Sequence, residues 1–235
     1  MKPVAIFRHS APEGPGYLAE FLDEHHIPWQ LVRIDAQDPV PADPEAWSGL
    51  VFMGGPMSVN DDLPWIGAEL QLIRRAVGRD VPVLGHCLGG QLMAKALGGA
   101  VVLNRYKEIG WGPVQVEDND TARSWLGSVA AFDAFHWHGE TFNLPMGAAP
   151  VLTNRHCTNQ AFAVGRHLAL QCHIEMTEKM IAQWCEFGAA EIAASADSPG
   201  VQPVQDILAA TAHKVPQMRA VARRLYERWI RGLPR

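Results

Sequence analysis

A cysteine set between glycines is the residue in this chain best placed to do chemistry. Cys87 is the centre of the sequence Gly-His-Cys-Leu-Gly (85–89), after an apolar run at 81–84 and before a segment of helical periodicity at 88–97. A strand that turns sharply into a helix holds a nucleophile exposed on a strained backbone. Cys87 would then lie at a helix N-terminus, which favours the thiolate. The competing interpretation is a buried cysteine that only packs.

A cysteine nucleophile needs a base, and His173 is the best of the ten histidines for that role. It ends a predicted strand over 167–173, and Glu175 follows two positions later. Residues i and i+2 of an extended strand project to the same side. We therefore expect the Glu175 carboxylate to bind the far ring nitrogen of His173 and to fix its tautomer. The alternative is a strand-end histidine near an unrelated surface glutamate.

Attack on a carbonyl also needs hydrogen-bond donors for the oxyanion that forms. Gly54-Gly55-Pro56 follows a predicted strand, and a glycine pair lets a backbone N–H approach a substrate with no Cβ in the way. The Leu88 N–H at the turn after Cys87 would be the second donor. Taken alone, Gly-Gly-Pro indicates only a turn.

Short apolar strands and amphipathic helices alternate through the first half of the chain, which is the pattern of parallel βαβ units. Strands are predicted over 3–8, 30–34, 49–53 and 81–85, and helices over 16–25, 65–77 and 88–97. The fold class is therefore α/β, an open, mostly parallel sheet flanked by helices. Its ligand site is expected beyond the carboxyl ends of the strands, where both Gly54-Gly55 and Cys87 fall.

The second half combines further strands with C-terminal helices. Strand-like segments are predicted at 100–103, 114–116, 131–137, 149–153, 160–164 and 167–173. They imply an antiparallel extension of the sheet, with a hairpin turn at Gly165-Arg166. Helices return from Thr177 and are interrupted at 195–200. We predict a catalytic domain at 1–194 and a helical extension at 195–235 packed on the same domain. The arginines of the last helix are read as a solvated face in preference to a site for an anionic partner.

Composition narrows the classes of function. The chain has 235 residues, of which 48% are apolar, and this suits one well-buried α/β domain. A net charge of −5 does not favour nucleic acid as a partner, and no apolar run approaches the ~20 residues of a membrane span. The amino terminus has no signal-peptide core, so we expect a cytoplasmic protein. The four cysteines are widely spaced and are expected to be reduced thiols.

Two histidines that share one face of a predicted strand raise the question of a metal. His136 and His138 straddle Trp137. The sequence offers them no third ligand at a suitable spacing, so we predict no metal site. His9, after the first strand, lies near the edge of the site by topology and has no assigned role.

Four motifs occur in a fixed order along the chain. They are Gly-Gly-Pro at 54–56, Gly-His-Cys-Leu-Gly-Gly-Gln at 85–91, His-Trp-His-Gly-Glu at 136–140 and Gln-Cys-His-Ile-Glu at 171–175. Together they resemble the class I glutamine amidotransferase family over about residues 1–190. The similarity is greatest to its stand-alone members related to the glutaminase domain of guanylate synthase. The resemblance implies the family's flavodoxin-like three-layer fold and its Cys-His-Glu triad.

Carried over by position, the resemblance makes Cys87 the nucleophile, His173 the general base and acid, and Glu175 its orienter. Gly55 and Leu88 would supply the oxyanion-hole N–H groups. The residues expected to bind the amino-acid head group of glutamine are Gly54, Gln91, His138, Gly139 and Glu140. The implied reaction cleaves the side-chain amide of glutamine, or of a γ-glutamyl compound, through a γ-glutamyl thioester. Ammonia and glutamate are released, and no cofactor takes part.

Three departures from the family pattern bear on this expectation. Ile174 stands where many members have a proline, and Cys172 where an aromatic residue is common. Neither changes the spacing of the histidine and the glutamate, but the shape of the pocket wall is expected to differ. The chain also lacks the Ser-Gly-Gly-x-Asp-Ser phosphate loop of a synthetase domain, so any synthetase is expected to be a separate chain.

Two other functions stay open at this point. A γ-glutamyl peptidase on the same fold would cleave γ-glutamyl peptides without delivering ammonia to an acceptor. A regulatory or binding subunit would use the C-terminal helices to recognise a partner, and the intact triad argues against that reading. The amphipathic last helix leaves room for a homodimer.

Overall fold

The computed structural model describes residues 1–234, which form ten strands and seven α-helices in that range. The strands are β1 (Val4–Arg8), β2 (Trp29–Arg33), β3 (Gly49–Phe52), β4 (Val83–His86), β5 (Val101–Val116), β6 (Ala131–Phe142), β7 (Ala149–Thr153), β8 (Ala161–Val164), β9 (His167–Leu170) and β10 (Gly200–Val201). The helices are α1 (Tyr17–Glu24), α2 (Ile66–Gly78), α3 (Leu88–Ala96), α4 (Asp120–Leu126), α5 (Glu178–Phe187), α6 (Ala189–Ala194) and α7 (Val204–Ile230).

One open mixed sheet contains all of these strands. Their order is β10-β5-β7-β8-β9-β4-β3-β1-β2, with β6 paired to β5. The strands β2, β1, β3, β4 and β9 run parallel to their neighbours in that half of the sheet. The pairs β5–β6, β5–β7, β7–β8 and β8–β9 are antiparallel. The prediction of an α/β sheet with an antiparallel extension is confirmed.

The strand β1, which lies between β3 and the edge strand β2, shows why the fold has three layers. Its Val4 and Ile6 side chains join an apolar core on the face covered by α1 and α7. Ala5 and Phe7 join a second core on the opposite face, with residues of α2 and α3. A strand buried on both faces reads as a continuous apolar run, because helices cover both sides of the sheet.

The strands predicted at 100–103 and 114–116 are the two ends of the single strand β5. Its register against β6 shifts between Leu103 and Glu108. Such an irregularity disrupts the alternation by which a strand is recognised in sequence, and this explains the interruption in the prediction. The β5–β6 ribbon places Glu108 opposite His138.

The C-terminal helix α7 packs against the sheet. Its Met218, Leu225 and Trp229 side chains are buried in the same core as Val4. Trp229 also covers Gly49 at the start of β3, where a Cβ would lie 3.0 Å from the indole. Over residues 1–234, no helix combines the length and apolar character needed to cross a membrane.

Candidate active site

The turn around Cys87, here called the elbow (85–89), joins β4 to α3. Cys87 is the N-cap of α3 and has a φ of 50°, in the left-handed region. Its N–H donates to the Leu170 carbonyl of β9 at 2.8 Å, which ties the turn to the sheet. A non-glycine residue with a positive φ is strained and persists where the surrounding structure imposes it.

Glycines on either side of the elbow cysteine let α3 lie directly on the sheet. A Cβ at Gly89 would be 2.0 Å from the Phe52 oxygen of β3, and one at Gly90 would be 2.4 Å from the Leu170 oxygen of β9. A Cβ at Gly85 would be 2.5 Å from Gly89 backbone atoms. All three approaches are closer than a real Cβ tolerates, so the path of the chain here requires glycine.

The structure brings His173 and Glu175 together, although not on a strand. The predicted strand over 167–173 is too long, because β9 ends at Leu170, opposite the first residue of β8. Beyond it, a single bridge links His173 to Phe135 of β6. The His173 Nδ1–H nevertheless donates to Glu175 Oε1 at 2.6 Å. The Nε2 atom on the other side of the ring remains available to the cleft.

The charges of His173 and Glu175 stabilise each other in a buried setting. Burial opposes the imidazolium, but Glu175 and Cys87 outweigh it and raise the pKa of His173 well above its ordinary value. Burial also opposes the carboxylate, but the charge and the hydrogen bond of His173 outweigh it and lower the pKa of Glu175 to about 2. The pair is therefore ionic at neutral pH.

The Cys87 thiol lies in the same cleft as the His173 ring. Gln171 Nε2 is 3.6 Å from the sulfur, and the sulfur is 3.8 Å from the Trp137 carbonyl. Within residues 1–234, the buried His173 Nε2 has no hydrogen-bond partner. Hydrogen bonds between catalytic groups are often long before substrate binds, so an unpaired base nitrogen near a thiol suits a site awaiting its substrate.

The two predicted oxyanion donors are neighbours. A Cβ at Gly55 would lie 2.6 Å from Leu88 Cδ2, so the glycine turn packs directly on the first residue of α3. The first N–H groups of a helix have no carbonyl within the helix to bind. The Leu88 N–H at the start of α3 therefore has no carbonyl within the helix to bind and remains a candidate donor to a substrate oxygen.

A buried His9–Glu69 pair supports the glycine turn, and the sequence did not reveal it. His9 Nε2 lies 3.0 Å from Glu69 Oε2, and His9 Nδ1 lies 3.0 Å from the Met53 carbonyl that precedes Gly54. Burial opposes the His9 cation, but Glu69 and the carbonyl contacts outweigh it and raise the pKa of His9. Topology had placed His9 near the site, and its partner on α2 could only be found in three dimensions.

Most of the residues predicted to bind the head group line one cleft of about 520 Å³ around Cys87. Those lining it are Gln91, His138, Gly139 and Glu140, whereas Gly54 lies behind Gly55 at its edge. Gln91 Nε2 donates to Gln171 Oε1 at 3.1 Å, and Ser58 Oγ donates to Glu140 Oε1 at 3.0 Å. These contacts hold the polar wall of the cleft in place.

Glu108 joins His136 and His138 in space as a third possible metal ligand. One ligand atom from each residue lies within 4.8 Å of the others. Asn154, Gln160 and His138 already donate to the Glu108 carboxylate, at 2.6, 2.8 and 3.1 Å. Burial opposes this carboxylate, but His138, His136 and Asn154 outweigh it and lower the pKa of Glu108 to about 2. The Glu108 carboxylate is thus held by three protein donors, and we assign the cluster no metal.

Trp184, Trp137 and Glu13 are among the cleft residues that were not foreseen as part of the site. The Trp184 ring meets the His173 ring edge-on at 5.0 Å between centroids. Trp137 donates from Nε1 to Glu191 at 2.9 Å and lines the same wall. Glu13 projects from the loop after β1. The position of that loop at the carboxyl edge of the sheet was the one signal that could have pointed to Glu13.

The fold and the Cys-His-Glu arrangement define a class of protein that comparison with known sequences identifies. The family described as glutamine amidotransferase class-I matches residues 17–183. The chain belongs to the class I glutamine amidotransferase family.

Individual relatives agree with this assignment. The glutamine amidotransferase-like protein YfeJ of Salmonella typhimurium is 26% identical over 217 residues, which are 89% of this chain and 90% of that protein. One subunit of the glutamine-hydrolysing GMP synthase of Sulfolobus acidocaldarius is 32% identical over 140 residues, 57% of this chain and 72% of that protein.

Solved structures show the same fold. A crystal structure of a glutamine amido transferase from Methylobacillus flagellatus is 44% identical, with a TM-score of 0.97 over 100% of this chain and 96% of that one. A glutamine amidotransferase from Thermotoga maritima is 27% identical, with a TM-score of 0.86 over 97% of both chains. The predicted family and fold class are confirmed.

Proposed function

We propose that this protein hydrolyses the side-chain amide of glutamine or of a related γ-glutamyl compound, with Cys87, His173 and Glu175 as its catalytic triad. The observation that carries the proposal is the buried His173–Glu175 ion pair, whose unpaired Nε2 shares a cleft with a thiol on a strained elbow. This arrangement has the parts of a cysteine acyl-transfer site: nucleophile, base and orienter.

The first half-reaction forms a thioester. The Cys87 thiolate attacks the side-chain carbonyl carbon, and the N–H groups of Gly55 and Leu88 donate to the oxygen as it gains charge. The His173 imidazolium gives its Nε2 proton to the amide nitrogen, the C–N bond breaks and ammonia departs. Glu175 keeps the ring in the tautomer and orientation that this transfer requires.

The second half-reaction returns the site to its resting state. His173 is now neutral and takes a proton from water, whose oxygen attacks the thioester carbonyl. The C–S bond breaks, glutamate leaves, and the thiolate–imidazolium pair is restored. Each step uses only residues of this chain and water.

The experiment that tests this function compares the wild type with Cys87→Ala in hydrolysis of glutamine and of γ-glutamyl amides. The variant should lose turnover of every γ-glutamyl substrate. Cys185→Ala is the matched control, because this thiol lies on α5 outside the cleft. Unchanged turnover in Cys87→Ala would overturn the proposal.

A second candidate function is cleavage of γ-glutamyl peptides, and the rim of the cleft favours it. Leu103 is 81% exposed and Phe187 is 70% exposed, and both line the cleft. Small-molecule clefts span about 300–1,000 Å³, so a volume of about 520 Å³ leaves room for a leaving group larger than ammonia. Comparing kcat/KM for glutamine with that for γ-glutamyl dipeptides separates the two candidates.

The two candidate functions also differ in whether ammonia is delivered to an acceptor enzyme. The Sulfolobus acidocaldarius relative is named as one subunit of a GMP synthase, so that enzyme contains more than one chain. We propose by analogy that, if glutamine is the substrate, the acceptor enzyme is a separate chain. Purification of the tagged protein with a bound ATP-using synthetase would support this arrangement, whereas full glutamine turnover by the isolated chain with no bound partner would count against it.

A further inference from the structure

Glu13 is a carboxyl group in the cleft that the proposed mechanism does not use. It lies on the loop between β1 and α1 and lines the cleft together with Cys87 and His173. Its backbone N–H donates to Ser10 at 3.0 Å, but no group among residues 1–234 donates a hydrogen bond to its carboxylate. A partly buried carboxylate with no protein donor is suited to a donor that the substrate brings.

The position of the carboxylate is defined by two neighbours. The point where a Cβ on Gly54 would lie is 2.3 Å from Glu13 Oε2 and 3.3 Å from His173 Cε1. The ring carbon Cε1 lies between the two ring nitrogens, and Nδ1 is engaged by Glu175. Glu13 Oε2 therefore lies towards the Cε1 edge of the imidazole. Of the two nitrogens on that edge, Nε2 is the one that has no hydrogen-bond partner within residues 1–234, and it must reach the departing nitrogen.

The loop is held at both ends by the segment that carries the triad. Trp184 Nε1 donates to the Pro12 carbonyl at 3.0 Å, and Tyr17 N–H donates to the Glu175 carbonyl at 2.8 Å. At Gly16, where φ is 49°, a Cβ would lie 2.2 Å from that same Glu175 oxygen. Anchored in this way, Glu13 holds its place when the cleft is empty.

The substrate head group is expected at the wall formed by His138, Gly139 and Glu140. Glu140 is held by Ser58 and His138 by Glu108, and neither of these contacts involves Glu13. In the proposed mechanism the nitrogen of the scissile amide must face His173, which protonates it. Glu13 lies beside the His173 ring and is therefore on the leaving-group side of the cleft.

We propose that Glu13 determines leaving-group specificity: its carboxylate accepts a hydrogen bond from the nitrogen of the scissile amide and so favours substrates whose leaving group carries N–H donors. This inference rests on the proposed function and deepens it. No proton is transferred to Glu13, since the departing nitrogen receives its proton from His173.

The charge of Glu13 depends on pH in a range where the enzyme can be assayed. Burial raises the pKa of Glu13, His173 and His9 oppose this rise and Glu175 adds to it, and together they bring the pKa to about 7. The group is neutral below this value and a carboxylate, the stronger acceptor, above it. Preference for an amide should therefore increase as the pH rises through about 7.

The test compares glutamine with the γ-methyl ester of glutamate. Both form the same γ-glutamyl thioester, but only the amide has N–H donors on its leaving group. Glu13→Gln, which loses the charge, should lower the amide-to-ester ratio of kcat/KM about tenfold, and Glu13→Leu, which also loses the acceptor, should lower it further. The wild-type ratio should rise with pH through about 7, and the Glu13→Leu ratio should not.

The matched control is Glu191→Gln, a carboxylate at the rim of the same cleft that binds Lys107. It should leave the amide-to-ester ratio unchanged. A ratio that is the same in wild type, Glu13→Gln and Glu13→Leu would overturn the inference while leaving the hydrolase intact. Because a ratio compares two substrates on one protein sample, partial misfolding of a variant does not alter it.

A second measurement needs no hydrolysis and separates this inference from the proposed function. Alkylation of Cys87 by neutral iodoacetamide is compared with alkylation by anionic iodoacetate. A Glu13 carboxylate repels the anion, so the preference for iodoacetamide should increase several-fold from about pH 6 to about pH 8 in the wild type and stay flat in Glu13→Gln. If no γ-glutamyl compound is hydrolysed but this difference is present, the substrate assignment fails and the placement of Glu13 stands. If the difference is absent, the placement fails too.

Discussion

The Glu175 carboxylate contributes most among the neighbours that keep the proton on His173, and this dependence is the key feature of the site at the scale of single residues. Replacing Glu175 with Gln removes the carboxylate that raises the pKa of His173 and leaves burial to oppose the imidazolium. We expect kcat/KM for γ-glutamyl amides to fall by about 10²–10⁴, as when the orienting acid of a catalytic triad is neutralised. The circular dichroism spectrum should stay that of the wild type. A loss below tenfold would contradict the assigned role of Glu175.

The buried Glu108–His138 pair is expected to stabilise the fold in a pH-dependent manner. Glu108→Gln removes the negative charge that accepts hydrogen bonds from Asn154, Gln160 and His138, and a hydrogen bond to a charged group typically contributes about 1.5–3 kcal/mol. The pKa of Glu108 is lowered from 4.5 to about 2. Its stabilisation is therefore full above about pH 4.5 and is lost as the pH falls toward about 2.

Urea unfolding of the wild type and Glu108→Gln measures this contribution. The difference in unfolding free energy should be constant from neutral pH down to about pH 5 and should shrink below that. Asp118→Asn is the control, because the Asp118 side chain is 98% exposed and should contribute no such term. If the difference in unfolding free energy between the two proteins persists unchanged at about pH 2, the charge of Glu108 does not stabilise the fold.

The sequence revealed the residues whose chemistry is local and missed those that depend on packing. Cys87 could be found from its glycine flanks, and His173 with Glu175 from their spacing. Glu13 and Glu108 could not, since each acquires its role from a neighbour far away in the chain. Glutamate is usually exposed, so the sequence gives no sign that these two side chains are covered. Only the folded structure shows that Glu108 is buried and Glu13 partly buried.

At the scale of elements, the close contact of α3 with the sheet positions the elbow. Gly89 is the second residue of α3, and an added Cβ would meet the Phe52 oxygen at 2.0 Å. Gly89→Ala must therefore push α3 away from β3 and displace Cys87. We expect at least a hundredfold loss of activity, because small misplacements of reacting groups are costly, together with a lower melting temperature.

Gly67→Ala is the matched control for the elbow glycine. Gly67 is the second residue of α2, and nothing lies within 4 Å of its added Cβ. Alanine there should leave activity unchanged and raise the free energy of unfolding by about 0.5–1 kcal/mol. Equal effects of the two substitutions would show that helix propensity, and not contact with the sheet, accounts for Gly89.

Periodicity and turn residues predicted most elements, and the errors lie where pairing decides the end of a strand. The hairpin at Gly165-Arg166 is confirmed, with Val164 opposite His167. The strand after it stops at Leu170 because β8 offers no further partner. The two pieces of β5 form one strand because β6 continues alongside both. The residues of β9 and β5 do not themselves indicate how far the neighbouring strands β8 and β6 extend.

At the scale of the whole molecule, α7 connects the end of the chain to the catalytic centre. The Tyr226 hydroxyl lies 3.2 Å from His86 Nε2, and that nitrogen lies 3.9 Å from Glu175 Oε2. Burial lowers the pKa of His86, so it is a neutral ring between the helix and the triad carboxylate. We propose that residues 195–234 pack as part of the catalytic domain for this reason.

Tyr226→Phe tests this connection. It leaves a fully buried ring nitrogen of His86 without its partner and should lower the free energy of unfolding by about 1–3 kcal/mol. The rate of γ-glutamyl hydrolysis should also fall if His86 steadies Glu175. Tyr106→Phe, at a partly exposed tyrosine of β5 whose ring packs edge-on against His156, should change neither quantity. If the two variants have the same free energy of unfolding and the same rate of hydrolysis, α7 covers the core without supporting the triad.

The central claim is that Cys87 forms a γ-glutamyl thioester with the help of His173 and Glu175. Acid quenching of the protein during turnover of a γ-glutamyl amide, followed by mass spectrometry of its peptides, tests the claim most directly. The account predicts a γ-glutamyl adduct on the Cys87 peptide and none on the peptides that carry the other three cysteines. Hydrolysis that proceeds with no adduct on Cys87, or that persists in Cys87→Ala, would contradict it.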